Sequence, residues 1–198
     1  MEIKERIIQK ARELFFRFGI KSVTMDDIAT ELGISKKTIY QHFEDKDEIV
    51  YQLMMAEMQQ DQCDWEMLNT TSSNVIEKTV KSMDIFKQAF SEINPSTFFD
   101  IKKYHPRTWK LFQEHKQNFI LEMLKKDLLE GIEHGFFRHD IKVDILAKMR
   151  LEQVEMGFDQ QIFPANKYSI VDVELTMLDH FIRGILTEKG LEIYQQYQ

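Results

Sequence analysis

Residues 24–46 read TMDDIATELGISKKTIYQHFEDK and predict two short helices on either side of Gly33. Thr24 can cap the first helix, and Asp27 follows three residues later, where the acid of a capping box belongs. Gly33 can adopt the left-handed backbone conformation that ends a helix. Ala29 is small enough to let the two helices cross at a steep angle. This arrangement is typical of a helix-turn-helix.

An amphipathic helix precedes this hairpin. Its apolar residues recur at three- and four-residue spacing from Ile3 to Phe18, and Gly19 ends it. Its apolar face can pack on the apolar residues of the hairpin, so we predict a three-helix domain over residues 1–47. The positive and negative charges of these residues balance, and the whole formal net charge of −7 therefore lies after residue 47. This asymmetry suggests that only the N-terminal part could meet a polyanion, although chance variation would produce the same pattern.

The third helix, predicted over residues 36–43, turns a polar face outwards. A major groove admits one helix, and side chains of these types reach base edges and phosphates. A solvated face with two lysines would show the same pattern, so the spacing alone leaves both interpretations open. The outward residues are Ser35, Lys36, Lys37, Thr38, Gln41 and His42, with Tyr40 beside them.

The N-terminal stretch resembles the DNA-binding domain of the tetracycline-repressor (TetR) family of bacterial regulators, over about a quarter of the chain. The matching features are LFFRFG at the end of the first helix, Thr24 with Ile28-Ala29, Gly33-Ile34-Ser35, Thr38-Ile39-Tyr40, His42-Phe43 and Lys46.

The resemblance implies a role for each matching residue. Lys36, Lys37, Thr38 and Gln41 would read bases, and Ser35, Tyr40, His42 and Thr24 would contact phosphate or sugar. Lys46 would place its ammonium, together with a helix N-terminus, against a phosphate. It further implies a repressor that binds a palindromic operator on double-stranded DNA and is released from it by a small-molecule effector. An activator of the same family, or a helical interaction module that has lost DNA binding, would share the fold.

Residues 48–198 carry the periodicity of helices throughout. With the N-terminal domain, we predict an all-α fold of nine or ten helices whose C-terminal domain binds a ligand and mediates dimerisation. The later helices are expected over residues 46–68, 75–93, 97–104, 106–135, 140–163 and 169–187, with Gly190 before a last turn at 191–197.

Large apolar side chains of this C-terminal part are candidates to line an effector cavity, although ordinary core packing explains such residues as well. The candidates are Phe90, Phe99, Trp109, Phe112, Phe119, Met123, Met149 and Met156. Acidic residues nearby could complement a cationic effector, or simply face solvent. The effector itself is not identified by the sequence.

The last long helix is apolar on two sides, which indicates burial on both. One side can face the subunit's own core and the other a second subunit. The resemblance implies a homodimer built through such helices, and a helix central to the monomer is the alternative. The predicted interface stripe is Val171, Leu175, Leu178, Ile182 and Ile185.

Other classes of protein find little support. Cys63 is the single cysteine and excludes an intrachain disulfide. The N-terminus lacks the apolar segment of a signal peptide, and the sequence has no long apolar stretch that would cross a membrane, so we expect a cytoplasmic protein. Common nucleotide-binding and hydrolase motifs are absent, and His134 and His139 have turn-like rather than ligand-like spacing. We expect no enzymatic activity, no cofactor and no metal.

Overall fold

The computed structural model describes residues 2–91 and 93–197, and within these ranges the fold is all-helical. An isolated antiparallel bridge pairs Phe137 with Leu186. The α-helices in chain order are α1 (Ile3–Phe18), α2 (Met25–Leu32), α3 (Lys36–Tyr40), α4 (Lys46–Thr71), α5 (Val75–Phe90), α6 (Ser96–Tyr104), α7 (Pro106–His115), α8 (Leu121–Glu133), α9 (Val143–Gly157), α10 (Ile170–Ile185) and α11 (Glu188–Gln195).

A π-helical turn, Lys116–Ile120, joins α7 to α8 without a break in the helix. Counted as one rod, α7 and α8 bring the described residues to ten helices, which confirms the predicted all-α fold. Sequence periodicity indicates the rod, and the wider turn within it is not visible in that pattern.

Two predicted helix bounds in the C-terminal part of the chain are wrong. Helix α9 ends at Gly157 instead of reaching residue 163. Gly190 does not separate the last helices but lies inside α11, which Thr187 caps through its hydroxyl. The glycine is needed there for packing, because a Cβ at this position would lie 2.2 Å from the carbonyl oxygen of Phe136.

The chain forms two compact units, and each is built from two stretches of sequence. The first comprises residues 2–62 and 93–113, and the second residues 63–91 and 114–197. One division falls within α4 and another within α7. The functional boundary between residues 47 and 48 stays a prediction.

The core of the first unit joins α1–α4 to α6. Ile7, Phe15, Ile28 and Ile39 are fully buried in it. Ile101 of α6 belongs to the same cluster of buried residues, so the segment that includes α6 packs directly on the N-terminal helices. This unit therefore holds more of the chain than the three predicted N-terminal helices.

The second unit has its own apolar core, contributed by α5, α8, α9, α10 and α11. The side chains of Ala147, Leu151, Phe181 and Tyr194 are buried in this cluster. A buried lysine, Lys78, ties further elements together. Its ammonium contacts the carboxylate of Asp127 and the amide oxygen of Asn69, and lies 4.3 Å from the centre of the Trp65 ring.

Candidate nucleic-acid interface

The start of α2 has the predicted capping box. The backbone N–H of Thr24 donates to Asp27 Oδ2 at 2.8 Å, and the backbone N–H of Asp27 donates to Thr24 Oγ1 at 3.2 Å. Hydrogen bonding from Thr24 lowers the pKa of Asp27, so this carboxylate stays ionised beside the helix N-terminus. Thr24 is exposed at the beginning of the helix, where a phosphate could approach it.

The turn between α2 and α3 matches the sequence prediction. Gly33 ends α2 in the left-handed conformation, with φ 65° and ψ 31°. The hydroxyl of Ser35 then caps α3 by accepting from the backbone N–H of Thr38 at 3.1 Å. Ala29 and Ile39 are buried between the helices. The two short helices are thus held from inside by apolar contacts and at their ends by hydrogen bonds.

The side of α3 away from this core is polar and accessible. Helix α3 is shorter than predicted and ends at Tyr40, so Gln41 and His42 lie in the turn after it. Tyr40 keeps 47% of its surface exposed despite its large ring. Of the residues predicted to contact DNA around this helix, Thr38 is half-buried and the others are exposed, namely Ser35, Lys36, Lys37, Tyr40, Gln41 and His42.

Lys36 and Lys37 differ in their surroundings. The ammonium of Lys36 lies 2.8 Å from Asp26 Oδ2 of α2, and this hydrogen bond raises the pKa of Lys36. Both side chains of the pair are exposed, and ion pairs of this kind contribute little to stability. Lys36 can therefore exchange Asp26 for a phosphate with little loss of stability. Lys37 is also exposed at the surface of the helix.

Lys46 has contacts that the sequence did not predict. Its Nζ donates to the carbonyl oxygens of Ile20 and Val23, both at 2.8 Å. Burial lowers its pKa, and the negative charges of Asp100 and Asp27 partly oppose that change. The side chain thus fastens the start of α4 to the turn between α1 and α2, the turn that leads to Thr24.

Helix α6 holds the same turn from a second direction. Asp100 is buried, and its Oδ2 accepts from the backbone N–H of Lys21 at 2.8 Å. Gly19, at the end of α1, has a φ of 81° and lies so close to α6 that a Cβ would be 2.6 Å from Ser96 Oγ. No local pattern in the sequence marks Asp100 or Ser96 for this role, since both act on residues far away in the chain.

The beginning of α4 also contacts the segment that follows α6. His105 Nδ1 and Asp47 Oδ1 are 2.5 Å apart, and Arg107 Nη1 lies 3.0 Å from Glu48 Oε2. The guanidinium of Arg107 lies over the ring of Tyr51, 3.7 Å from its centre. These pairs hold the junction between α6 and α7 against the start of α4.

Comparison with known proteins identifies this arrangement. The family described as "Bacterial regulatory proteins, tetR family" matches residues 7–53, from the middle of α1 into α4. The HTH-type transcriptional regulator YvaF of Bacillus subtilis is 24% identical over 93% of this chain and 96% of its own length. The HTH-type transcriptional repressor KstR2 of Mycobacterium tuberculosis is 24% identical over 72% of each chain.

The chain carries the DNA-binding domain of the tetR family in residues 7–53. It is thus a DNA-binding transcriptional regulator of the helix-turn-helix type. A crystal structure of the regulator FadR from Bacillus subtilis in complex with stearoyl-CoA shares the fold, with a TM-score of 0.66 and 20% identity over 91% of this chain and 98% of that one. These relatives are regulators and not enzymes. None of the described helices has the length and apolar character that crossing a bilayer requires.

The residues predicted for an effector cavity divide between the two units. Phe99, Trp109 and Phe112 lie in the first unit, and Phe90, Phe119, Met123, Met149 and Met156 in the second. The rings of Trp109 and Phe112 are 5.4 Å apart, but Phe99 is 51% exposed. In the second unit, Phe90 packs on Phe158, and Met149 and Met156 are exposed. Contact of any of these residues with a ligand stays a prediction.

The residues of the predicted dimer stripe on α10 differ in burial. Ile182 and Ile185 are buried in the core of the second unit, whereas Val171, Leu175 and Leu178 are half-buried. Helix α9 presents a further apolar stripe that was not predicted. It exposes Ile145 by 65%, Met149 by 42% and Met156 by 37%, at helical spacing on one face. A role of either helix in dimerisation stays a prediction.

Proposed function

We propose that this protein is a repressor that binds a palindromic operator as a homodimer and leaves it when a small molecule binds the second unit. The observation that carries the proposal is the polar, accessible side of α3, held on a scaffold that is capped at Thr24 and Ser35. KstR2, a relative over most of the chain, is itself named a repressor. Because its target would be chromosomal DNA, we infer a cytoplasmic location.

In the proposed complex, α3 enters the major groove and the capped start of α2 faces the backbone. Lys37 and Gln41 have the side-chain types that read base edges, while Tyr40 and His42 suit phosphate or sugar. The sequence specificity of the operator would follow from these few residues. The overall net charge of −7 limits non-specific attraction to DNA.

The proposed dimer forms through α9 and the half-buried residues Val171, Leu175 and Leu178 of α10. The apolar stripe of Ile145, Met149 and Met156 on α9 would be covered by the second subunit, since contiguous apolar surface of this kind is unfavourable in water. A two-fold axis then presents two copies of α3 to the two halves of a palindrome. Dimerisation thus belongs to the same proposal as the operator.

Release requires an effector that binds one conformation of the protein better than the other. A compound with equal affinity for both could not shift DNA binding, however tightly it bound. The FadR structure contains stearoyl-CoA, so a protein with this fold accommodates a small molecule. We propose that the second unit of this chain does the same and that ligand binding changes the spacing of the two copies of α3.

The proposal can be tested by fluorescence anisotropy at physiological salt. Duplexes that tile the DNA upstream of the protein's own gene are compared with scrambled duplexes of equal composition. We expect tight, saturable binding to one tile, lost in a Lys37→Ala/Tyr40→Phe variant. A Lys167→Ala variant, which removes an exposed lysine from the loop between α9 and α10, serves as the matched control and should bind like the wild type.

The other outcomes separate the alternatives. Absence of binding to every tile, even at low salt, would contradict the proposal and favour an interaction module. Binding to one tile that raises transcription from the adjoining promoter would indicate an activator. Operator affinity that stays constant with every compound found to bind the second unit would contradict the effector mechanism.

A further inference from the structure

A buried ion pair joins α9 to α10 inside the second unit. Arg150 keeps 7% of its surface exposed and Glu174 only 1%. The two side chains meet through one hydrogen bond, Arg150 Nη2 to Glu174 Oε2, at 3.4 Å. A guanidinium and a carboxylate in bidentate geometry form two shorter hydrogen bonds. The single long bond of this pair therefore leaves both groups incompletely hydrogen-bonded.

Three polar atoms around the pair are buried without a hydrogen-bond partner among the described residues. They are Arg150 Nη1, Glu174 Oε1 and Gln153 Oε1. Arg150, Gln153 and Gly157 follow one another at three- and four-residue spacing, which places them on one side of α9. Gly157 lies against Glu174, since a Cβ there would be 2.1 Å from Oε1. The unpartnered groups thus form one cluster between the two helices.

The charge of this cluster is unbalanced. Burial raises the pKa of Glu174 to about 7, and the nearby positive charge of Arg150 opposes the rise only in part. Near neutral pH a substantial fraction of Glu174 is therefore protonated, while a guanidinium stays charged. A buried cation without a full counter-charge is unfavourable. An anion bound beside Arg150 would supply the missing counter-charge, whereas a cation would increase the unbalanced positive charge.

The neighbourhood of the pair is apolar and aromatic. Phe158 follows Gly157 directly, is buried, and packs edge-on against Phe90 with 5.5 Å between ring centres. Phe90 in turn stacks on Phe86 at 4.4 Å. A molecule held here would have an apolar body next to these rings. The polar groups available beside these rings include those of Arg150, Gln153 and Glu174.

We propose that Arg150 binds the carboxylate of an otherwise apolar effector. Its Nη1–H, which has no hydrogen-bond partner within residues 2–91 and 93–197, donates to that carboxylate. The side-chain amide of Gln153 can donate a second hydrogen bond to the ligand carboxylate. Rotation of the amide by 180° would place its NH2 group where the oxygen now lies. The inference rests on the proposed function, since it names the chemical class of the effector that the second unit takes.

The test is a calorimetric titration of the full-length protein, without DNA, with four compounds of equal chain length below their micellar concentrations. They are decanoate, decyl phosphate, decanol and decyltrimethylammonium. We expect decanoate to bind saturably and at least about tenfold more tightly than decanol, the size of effect that charge-assisted hydrogen bonds produce. Arg150→Gln should abolish this advantage and leave the affinity for decanol unchanged.

Two controls accompany Arg150→Gln. Lys148→Gln removes an exposed cation from the same helix and should not change decanoate binding. Glu174→Gln keeps the guanidinium and removes the competing carboxylate, so decanoate should bind at least as tightly as to the wild type. The double variant Arg150→Gln/Glu174→Gln carries neither buried charge. It should lose the preference for decanoate even where the single arginine variant folds poorly.

Equal affinities for decanoate and decanol would overturn the inference, as would a preference that survives in both arginine variants. Tighter binding of decyltrimethylammonium would indicate a cationic effector instead. Tighter, Arg150-dependent binding of decyl phosphate would overturn the choice of carboxylate. Because the titrations contain no DNA, operator binding without decanoate binding contradicts this inference alone, and decanoate binding without operator binding contradicts only the proposed function.

Discussion

Asp100 of α6 accepts a hydrogen bond of 2.8 Å from the backbone N–H of Lys21, which lies 79 residues earlier in the chain. The carboxylate is buried, and the N–H belongs to the turn that connects α1 to the capped start of α2. A residue far outside the three N-terminal helices thus helps to place Thr24. The position of the DNA-binding helices depends in part on α6.

Replacing Asp100 tests this dependence. Asp100→Ala removes the charged acceptor of a part-buried hydrogen bond from the N–H of Lys21, and we expect a loss of about 1–3 kcal/mol in the free energy of unfolding. Asp100→Asn keeps an oxygen in place and should lose less. Urea denaturation followed by circular dichroism measures both. A midpoint for Asp100→Ala equal to that of the wild type would show that the bond contributes nothing.

The salt dependence of DNA binding distinguishes two possible roles of Lys46, positioning of the turn between α1 and α2 and contact with a phosphate. Its ammonium is held by the carbonyl oxygens of Ile20 and Val23, so we expect it to position the turn and not to neutralise a phosphate. Lys46→Met should weaken operator binding at every salt concentration with little change in the slope of log K against log[salt]. A phosphate contact would instead reduce that slope by about 0.9.

The exposed lysine of α3 provides the comparison for that measurement. Lys37 lies on the accessible side of the recognition helix, and Lys37→Ala should both weaken binding and reduce the slope if its ammonium meets a phosphate. Anisotropy titrations over a range of potassium chloride concentrations give both slopes. If Lys46→Met reduced the salt slope by as much as the loss of a phosphate contact does, Lys46 would contact a phosphate, as the family resemblance implies.

Gly157 and Gly184 make a matched pair of helical glycines. A Cβ on Gly157 would collide with the carboxylate of Glu174 at 2.1 Å, whereas a Cβ on Gly184 would meet no described atom within 4 Å. We expect Gly157→Ala to destabilise the protein by about 1–3 kcal/mol through this overpacking. Gly184→Ala should stabilise it by about 0.5–1 kcal/mol, because alanine favours a helix.

Thermal unfolding of the two glycine variants gives the comparison. Equal melting temperatures would mean that Glu174 moves aside without loss. A large decrease in the melting temperature of Gly184→Ala alone would indicate that this exposed position packs against another subunit. The proposed dimer through α10 allows such a contact. Sedimentation velocity on the same samples then decides whether the loss accompanies dissociation.

Local features of the fold could be predicted from the sequence, and distant ones could not. The capping of α2 by Thr24 and the left-handed Gly33 follow from residues within one turn of each other. Lys46 and Asp100 act on partners 23 or more residues away, so their roles depend on packing that no local pattern encodes. The prediction that Gly190 separates two helices is wrong for the same reason, since its close approach to Phe136 is a tertiary contact.

The ion pair between α9 and α10 predicts how stability depends on pH. Burial raises the pKa of Glu174 to about 7 in the folded protein, above its ordinary value of 4.5. Between these pH values the folded state binds more protons than the unfolded state, so the free energy of unfolding must fall as pH rises. The contribution of one such group is at most about 1.4 kcal/mol per pH unit.

Glu174→Gln removes this titration, because the amide is neutral throughout. We therefore expect the stability of the wild type relative to Glu174→Gln to decrease from about pH 5 to about pH 7 and then to level off. Asp127, whose pKa burial also raises to about 7, is present in both proteins and cancels in the difference. Urea denaturation at a series of pH values measures the difference. A constant difference across this range would show that Glu174 is ionised in the folded protein. Arg150 would then have its full counter-charge, and the charge imbalance on which the proposed anion binding depends would be absent.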